Sequence, residues 1–212
     1  SEDTYEWIGQ QLEAAWDAGV EIIPIAHHNL LDESKIYVED CTIEHSEELV
    51  DRLEEEDIPL FLSGHLHVQH YMRNEEDRGI YEIVTSSLST PPCQYGVLEY
   101  RDDESFSYHT QQVDMEKWAR KHKSTDENLL NFNTYAPAAL RTIFYNQSYD
   151  AMKDSEEEET GDLFVKLTQR QKEQMSEVYA QLNAACYGGK AYEVVKEATT
   201  TPAYKMWQGY CY

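Results

Sequence analysis

Two apolar runs in this chain each stop at histidine, and imidazoles delivered to neighbouring strand ends can do metal or acid–base chemistry. Ser63-Gly64-His65-Leu66-His67 follows directly on Ile58-Pro59-Leu60-Phe61-Leu62. Upstream, Val20-Glu21-Ile22-Ile23-Pro24-Ile25-Ala26 stops in the same way at His27-His28-Asn29. Buried strands that end together place side chains from separate parts of the chain around one point, and imidazole suits first-row divalent metals. The spacing therefore predicts that His27, His65 and His67 converge at one sheet edge. His28 and Asn29 are read as structural or substrate-facing, and Tyr71 as a further contact by adjacency. His45, His70, His109 and His122 lack any partner pattern and read as ordinary surface or half-buried residues.

Other chemistries find little support. Thr85-Ser86-Ser87 lacks the flanking glycines of a nucleophile elbow, and no glycine-rich phosphate loop is present. Cys41, Cys93, Cys186 and Cys211 show no Cys-x-x-Cys spacing, which leaves free thiols or one disulfide pair in an exported protein. The carboxylate runs read as solvated helix faces.

The positioning elements follow from periodicity. Tyr5, Ile8, Leu12, Ala15 and Trp16 fall at helical spacing, with Gly19 placed to stop the helix. A short link into 20–26 makes half of a crossover unit, the kind that builds parallel or mixed sheets. Ser46 is placed to cap a helix whose Leu49, Val50 and Leu53 face inward. From Gly79 onward β-branched and aromatic runs predict antiparallel strands completing a sheet. After Val113 the chain turns helical. Met115 to Lys121 and Asn128 to Met152 read as helices, the second interrupted near Pro137, and Asp154 to Thr160 as an acidic linker. A long helix bearing Phe164, Leu167, Met175, Val178, Leu182 and Ala185 follows and stops at Gly188-Gly189, and a last helical stretch from Tyr192 ends in aromatic residues.

A strand ending in His-His, a helix, a strand ending in Gly-His-x-His, and then the runs Ile80 to Leu88 and Tyr95 to Tyr100 together resemble the C-terminal half of the calcineurin-like metallophosphoesterases. The resemblance covers roughly residues 4 to 113. It implies an α/β fold, the C-terminal half of a double β-sheet sandwich flanked by helices, with an α-helical extension over 114–212. It also implies hydrolysis of a phosphomonoester or phosphodiester, in the manner of serine/threonine phosphatases, by two divalent cations (manganese, iron or zinc). His27, His65 and His67 would be the metal ligands, and His28 and Asn29 would stand at the reacting centre.

The family's Asp-x-His, Gly-Asp-x-x-Asp and Gly-Asn-His motifs do not occur in this sequence. The resemblance thus implies a missing N-terminal half, on the same or a separate chain, and weak or no metal occupancy and poor activity without it. The rival expectation is a non-catalytic binding or structural module with vestigial histidines.

Charge and length bound the partners. A formal charge of −24 over 212 residues opposes binding to a phosphate backbone, so no nucleic-acid partner is expected. No stretch approaches the twenty or so apolar residues of a membrane span. Ser1-Glu2-Asp3 falls straight into a helix, so the natural N-terminus is expected to lie elsewhere. Acidic bacterial members of the resembled family suggest a cell-surface location.

Overall fold

A computed structural model describes residues 2–33, 40–74, 79–101, 103, 105–157, 167–191 and 193. The chain divides into two compact units, Ser1–Thr85 and Ser86–Tyr212.

The first unit opens with α1 (Glu2–Ala18), ended by Gly19 at φ 62°, a left-handed conformation that glycine adopts without penalty. Leu12 is its buried residue, whereas Trp16, expected inside, is 78% exposed. The helix is tethered at its start, where the Tyr5 hydroxyl donates to the Glu44 and His45 carbonyls and Arg52 donates to the Tyr5 carbonyl.

The run 20–26 is extended but forms only one parallel bridge, Ile25 to Leu62. Ala26 N–H donates to Leu62 C=O and Leu62 N–H donates to Pro24 C=O, so this segment lies alongside β1 (Leu60–Ser63). Proline carries no N–H, so Pro24 accepts from β1 but cannot donate to it.

Between them α2 (Ser46–Glu55) buries Leu49 and Leu53. Its cap position is held by His45 at φ 58°, with no side-chain capping bond, so Ser46 is the first helical residue and not the cap. Glu47 and Glu48 in the first turn place negative charge against the exposed N–H groups there.

β1 pairs in parallel with β3 (Tyr81–Val84), and β3 pairs antiparallel with β2 (His70–Arg73), in the order β1-β3-β2. β3 therefore runs with β1, which the expected antiparallel series did not anticipate. Leu30, Leu49, Leu53, Phe61 and Ile80 form the core beneath this sheet.

In the second unit β4 (Gln94–Tyr100) and β5 (Phe106–Gln112) make an antiparallel pair. The fold is thus mixed α/β with two small sheets, three-stranded and two-stranded, in place of the expected half of a sandwich. The helices are α3 (Met115–Lys121), α4 (Glu127–Leu130), α5 (Phe132–Glu157) and α6 (Gln169–Tyr187). α5 continues through Pro137 because, so near the helix start, a proline forfeits a single bond, to the Asn133 carbonyl. It also runs into the expected acidic linker, whose last three residues lie outside the described ones, as do Phe164 and the aromatic residues from Tyr204 onward.

α6 starts on a capping box between Thr168 and Gln171 and ends at Gly188 and Gly189 as the sequence indicates. It packs on α5 through Leu140, Phe144 and Ala180, with Tyr145, Tyr179 and Tyr187 around them. Gln94 donates to the Ser86 hydroxyl and to the Tyr187 carbonyl, tying the β4 end to the end of α6. Cys41, Cys93 and Cys186 are free thiols, and Cys211 lies outside the described residues.

Leu53 is 1% exposed at the centre of the first core. Leu53→Ala is expected to lower stability by about 2–5 kcal/mol, read from the denaturant midpoint at unchanged slope.

Candidate functional site

Continuation of the extended segment past β1 brings the histidines together. Gly64 N–H donates to His27 C=O, carrying the ladder one step beyond the strand. Leu66 N–H then donates to Gly64 C=O at 2.7 Å, closing a tight turn centred on His65.

Gly64 itself keeps an ordinary conformation, and a Cβ there would meet His27 only at van der Waals distance. The left-handed backbone falls instead on His65 at φ 63° and His67 at φ 58°. Such a conformation costs a residue other than glycine about 1–2 kcal/mol. Of the two, His65 is the ring that meets His27 and His28.

His27 Nε2 lies 3.2 Å from His65 Nδ1. The ring centres are 5.1 Å apart for His27 and His65, 4.5 Å for His28 and His65, and 5.4 Å for His27 and His28. Three of the sequence-predicted residues thus share one cluster. His67 is exposed on the same turn, close enough for its charge to act on His65. Partial burial, and then the positive charge that His28, His27 and His67 can carry, push the His65 pKa below the ordinary imidazole value. Asp40 opposes them. His65 is consequently neutral, with lone pairs available, over more of the acid range than a free imidazole.

Two nitrogens each 2.0–2.1 Å from a tetrahedral zinc stand roughly 3.3 Å apart. The His27–His65 separation of 3.2 Å fits two positions of one such ion. Among the described residues, however, no group of three or more His, Cys, Asp or Glu side chains is arranged to hold one.

Asn29 lies beneath the cluster, 1% exposed. Its amide donates to the Ser63 hydroxyl at 2.9 Å and toward the Gly64 carbonyl at 3.4 Å, while its carbonyl oxygen is buried without a partner. These contacts orient the turn that carries His65.

Two acidic residues complete this layer, and sequence reasoning missed both. Glu82 in β3 is wholly buried and accepts from Leu30 N–H, Leu31 N–H and the Ser63 hydroxyl. Burial raises its pKa more than those three donors lower it. The available signal was a lone carboxylate inside the apolar run Ile80-Tyr81-Glu82-Ile83-Val84.

Glu33 keeps its side chain fully buried and pairs with His70 Nδ1, its second oxygen unpartnered. That hydrogen bond raises the His70 pKa, outweighing the opposite effect of burial. No spacing rule links positions 33 and 70. Tyr71, beside it, is 70% exposed. On another side of the cluster, His28 and Asp40 line a largely apolar cavity of about 620 Å³ under α1.

Residues 114–212 match the family model described as the C-terminal domain of cyclic nucleotide phosphodiesterase. No curated protein matches the chain. The family match corrects the resemblance drawn from the histidine motifs, because it points to a cyclic nucleotide phosphodiesterase domain and not to the calcineurin-like metallophosphoesterases. It also lies in the helical region, which that resemblance did not cover. What stands is coarser: part of this chain is similar to a domain of a phosphodiesterase, an enzyme that cleaves phosphoesters.

Two outcomes follow from the buried acids. Glu82→Gln turns one acceptor oxygen into an NH₂ facing main-chain donors, which leaves a buried N–H unpaired. A loss of about 1–3 kcal/mol by chemical denaturation is expected. Because the His70 pKa is raised, its pairing with Glu33 stabilises the fold fully below the unfolded imidazole value near 6.5, and the effect is lost as pH rises through the folded value. Glu33→Gln is expected to move the His70 midpoint in an NMR titration downward, and an unmoved midpoint would show that the pairing is absent in solution.

Proposed function

We propose that this chain belongs to a phosphodiester-cleaving hydrolase and that the cluster of His27, His28, His65 and His67 is its contribution to the reaction centre. The observation that carries the reading is the 3.2 Å approach of His27 Nε2 to His65 Nδ1 at a rim where a third ring, His28, also stands. The likeness of residues 114–212 to a phosphodiesterase domain supports the substrate class.

In this reading His27 and His65 would hold a divalent cation of the manganese, iron or zinc type, and His67 would serve a second. When bound, such cations supply Lewis-acid neutralisation of charge developing on phosphoryl oxygens. Further ligands come from outside the described residues. His28, exposed and also lining the cavity, would hand a proton to the leaving oxygen. Asn29 is a positioning residue, holding Ser63 and the Gly64 carbonyl so that the His65 turn keeps its shape.

A second reading, a non-catalytic binding module, is favoured by one observation, the lack of a complete metal-ligand group among the described residues. Calorimetric titration with Mn²⁺ and Zn²⁺, combined with hydrolysis of bis(p-nitrophenyl) phosphate, separates the two. The hydrolase reading expects uptake of metal and turnover. It expects His65→Ala to cut metal affinity by more than the roughly tenfold cost of losing an outer-shell partner. Full metal affinity in the His65→Ala protein, with its fold intact by circular dichroism, would sink the assignment.

A further inference from the structure

The segment alongside β1 has a second side. Parallel pairing places Pro24 and Ala26 against Leu62, so the main-chain N–H and C=O of Ile25, and of Ile23 two residues earlier, point the other way. Among the described residues they meet no hydrogen-bond partner. Past a bend at His27 and His28, Asn29 N–H donates to Cys41 C=O and Ile43 N–H donates to Asn29 C=O, in a parallel bridge to Thr42. At 23–25 the outer edge is open.

The surroundings are apolar. Ile25 is 74% exposed and Trp7 58%, and both border the same cavity. The cavity of about 620 Å³ reaches from this segment to α1, with Tyr5, Trp7, Ile8, Ile22 and Ile43 in its wall.

Charge narrows the occupant. Among the described residues the cavity wall holds Asp40 and Glu44 and no Lys or Arg. A second copy of this chain, itself at −24, would meet like charge.

We propose that the Ile23–Ile25 edge is a docking site for a partner polypeptide that adds as a β-strand, with alternating apolar side chains for the cavity and basic residues at its ends for the acidic rim. Main-chain pairing supplies affinity in such strand addition, and the pockets for alternate side chains supply selectivity. The proposal is independent of any chemistry at the histidines.

The probe is a synthetic peptide alternating valine and threonine between paired terminal lysines, added to the whole chain. Binding is read from Trp7 and Trp16 fluorescence, and hydrogen exchange is read at the Ile25 amide. Saturable binding with at least tenfold slower exchange at Ile25 is expected. The same peptide N-methylated on alternate residues, and Ile25→Pro in the protein, should each weaken binding by about tenfold or more, because each removes bonds only from this outer edge. Peptide binding that survives N-methylation would overturn the strand geometry. Equal binding of a glutamate-ended version would overturn the basic partner. Concentration-dependent dimerisation that protects the Ile25 amide without peptide would assign the edge to a second copy and overturn the proposal, as would no binding at all.

Discussion

The buried carboxyl group of Glu82 is the joint on which the first unit turns. Main-chain N–H groups that leave water must find an acceptor or cost the fold a few kcal/mol each. Leu30 and Leu31 sit at a bend just past the Asn29–Thr42 bridge, and Glu82 gives one oxygen to each. The same carboxyl takes the Ser63 hydroxyl, at the last residue of β1. One side chain of β3 therefore ties together the segment after His27-His28 and the strand before His65. The cost of burying an acid is visible in its raised pKa, and it is borne where it brings the two histidine-bearing stretches together.

The strain at the rim makes sense beside that constraint. His65 and His67 take a backbone conformation that side-chain-bearing residues avoid, and such positions persist only where surrounding contacts over-determine them. The Gly64 amide held by His27, the Gly64 carbonyl taken by Leu66, and the Asn29 amide beneath supply that determination. Partial burial and its like-charged neighbours hold the His65 pKa below the ordinary imidazole value.

The second unit differs in its physics. Its helices α5 and α6 pack an aromatic seam of Tyr145, Tyr179 and Tyr187 around Phe144. The family match falls in this region, where the sequence motifs were weakest, while the conspicuous histidines lie outside it. Motif and match thus inform different parts of the chain, and a family drawn from four histidines at two strand ends was more specific than those residues warranted.

Local sequence determined the elements whose cause is local. The apolar period of α1, the stop at Gly19, the limits of α3 and the glycine end of α6 follow from side-chain spacing and backbone freedom within a few residues. The approach of His27 to His65 was expected from two apolar runs that each stop at histidine, whereas the ring that joins them is His28 and not the expected His67. Only the tertiary structure decided that Glu82 would be a buried acceptor, that Glu33 would meet His70 across 37 positions, and that the outer edge at Ile25 would stay open. The reason is that burial and pairing depend on which segments become neighbours, and a strand's alternation states which face is apolar without stating what lies beside it.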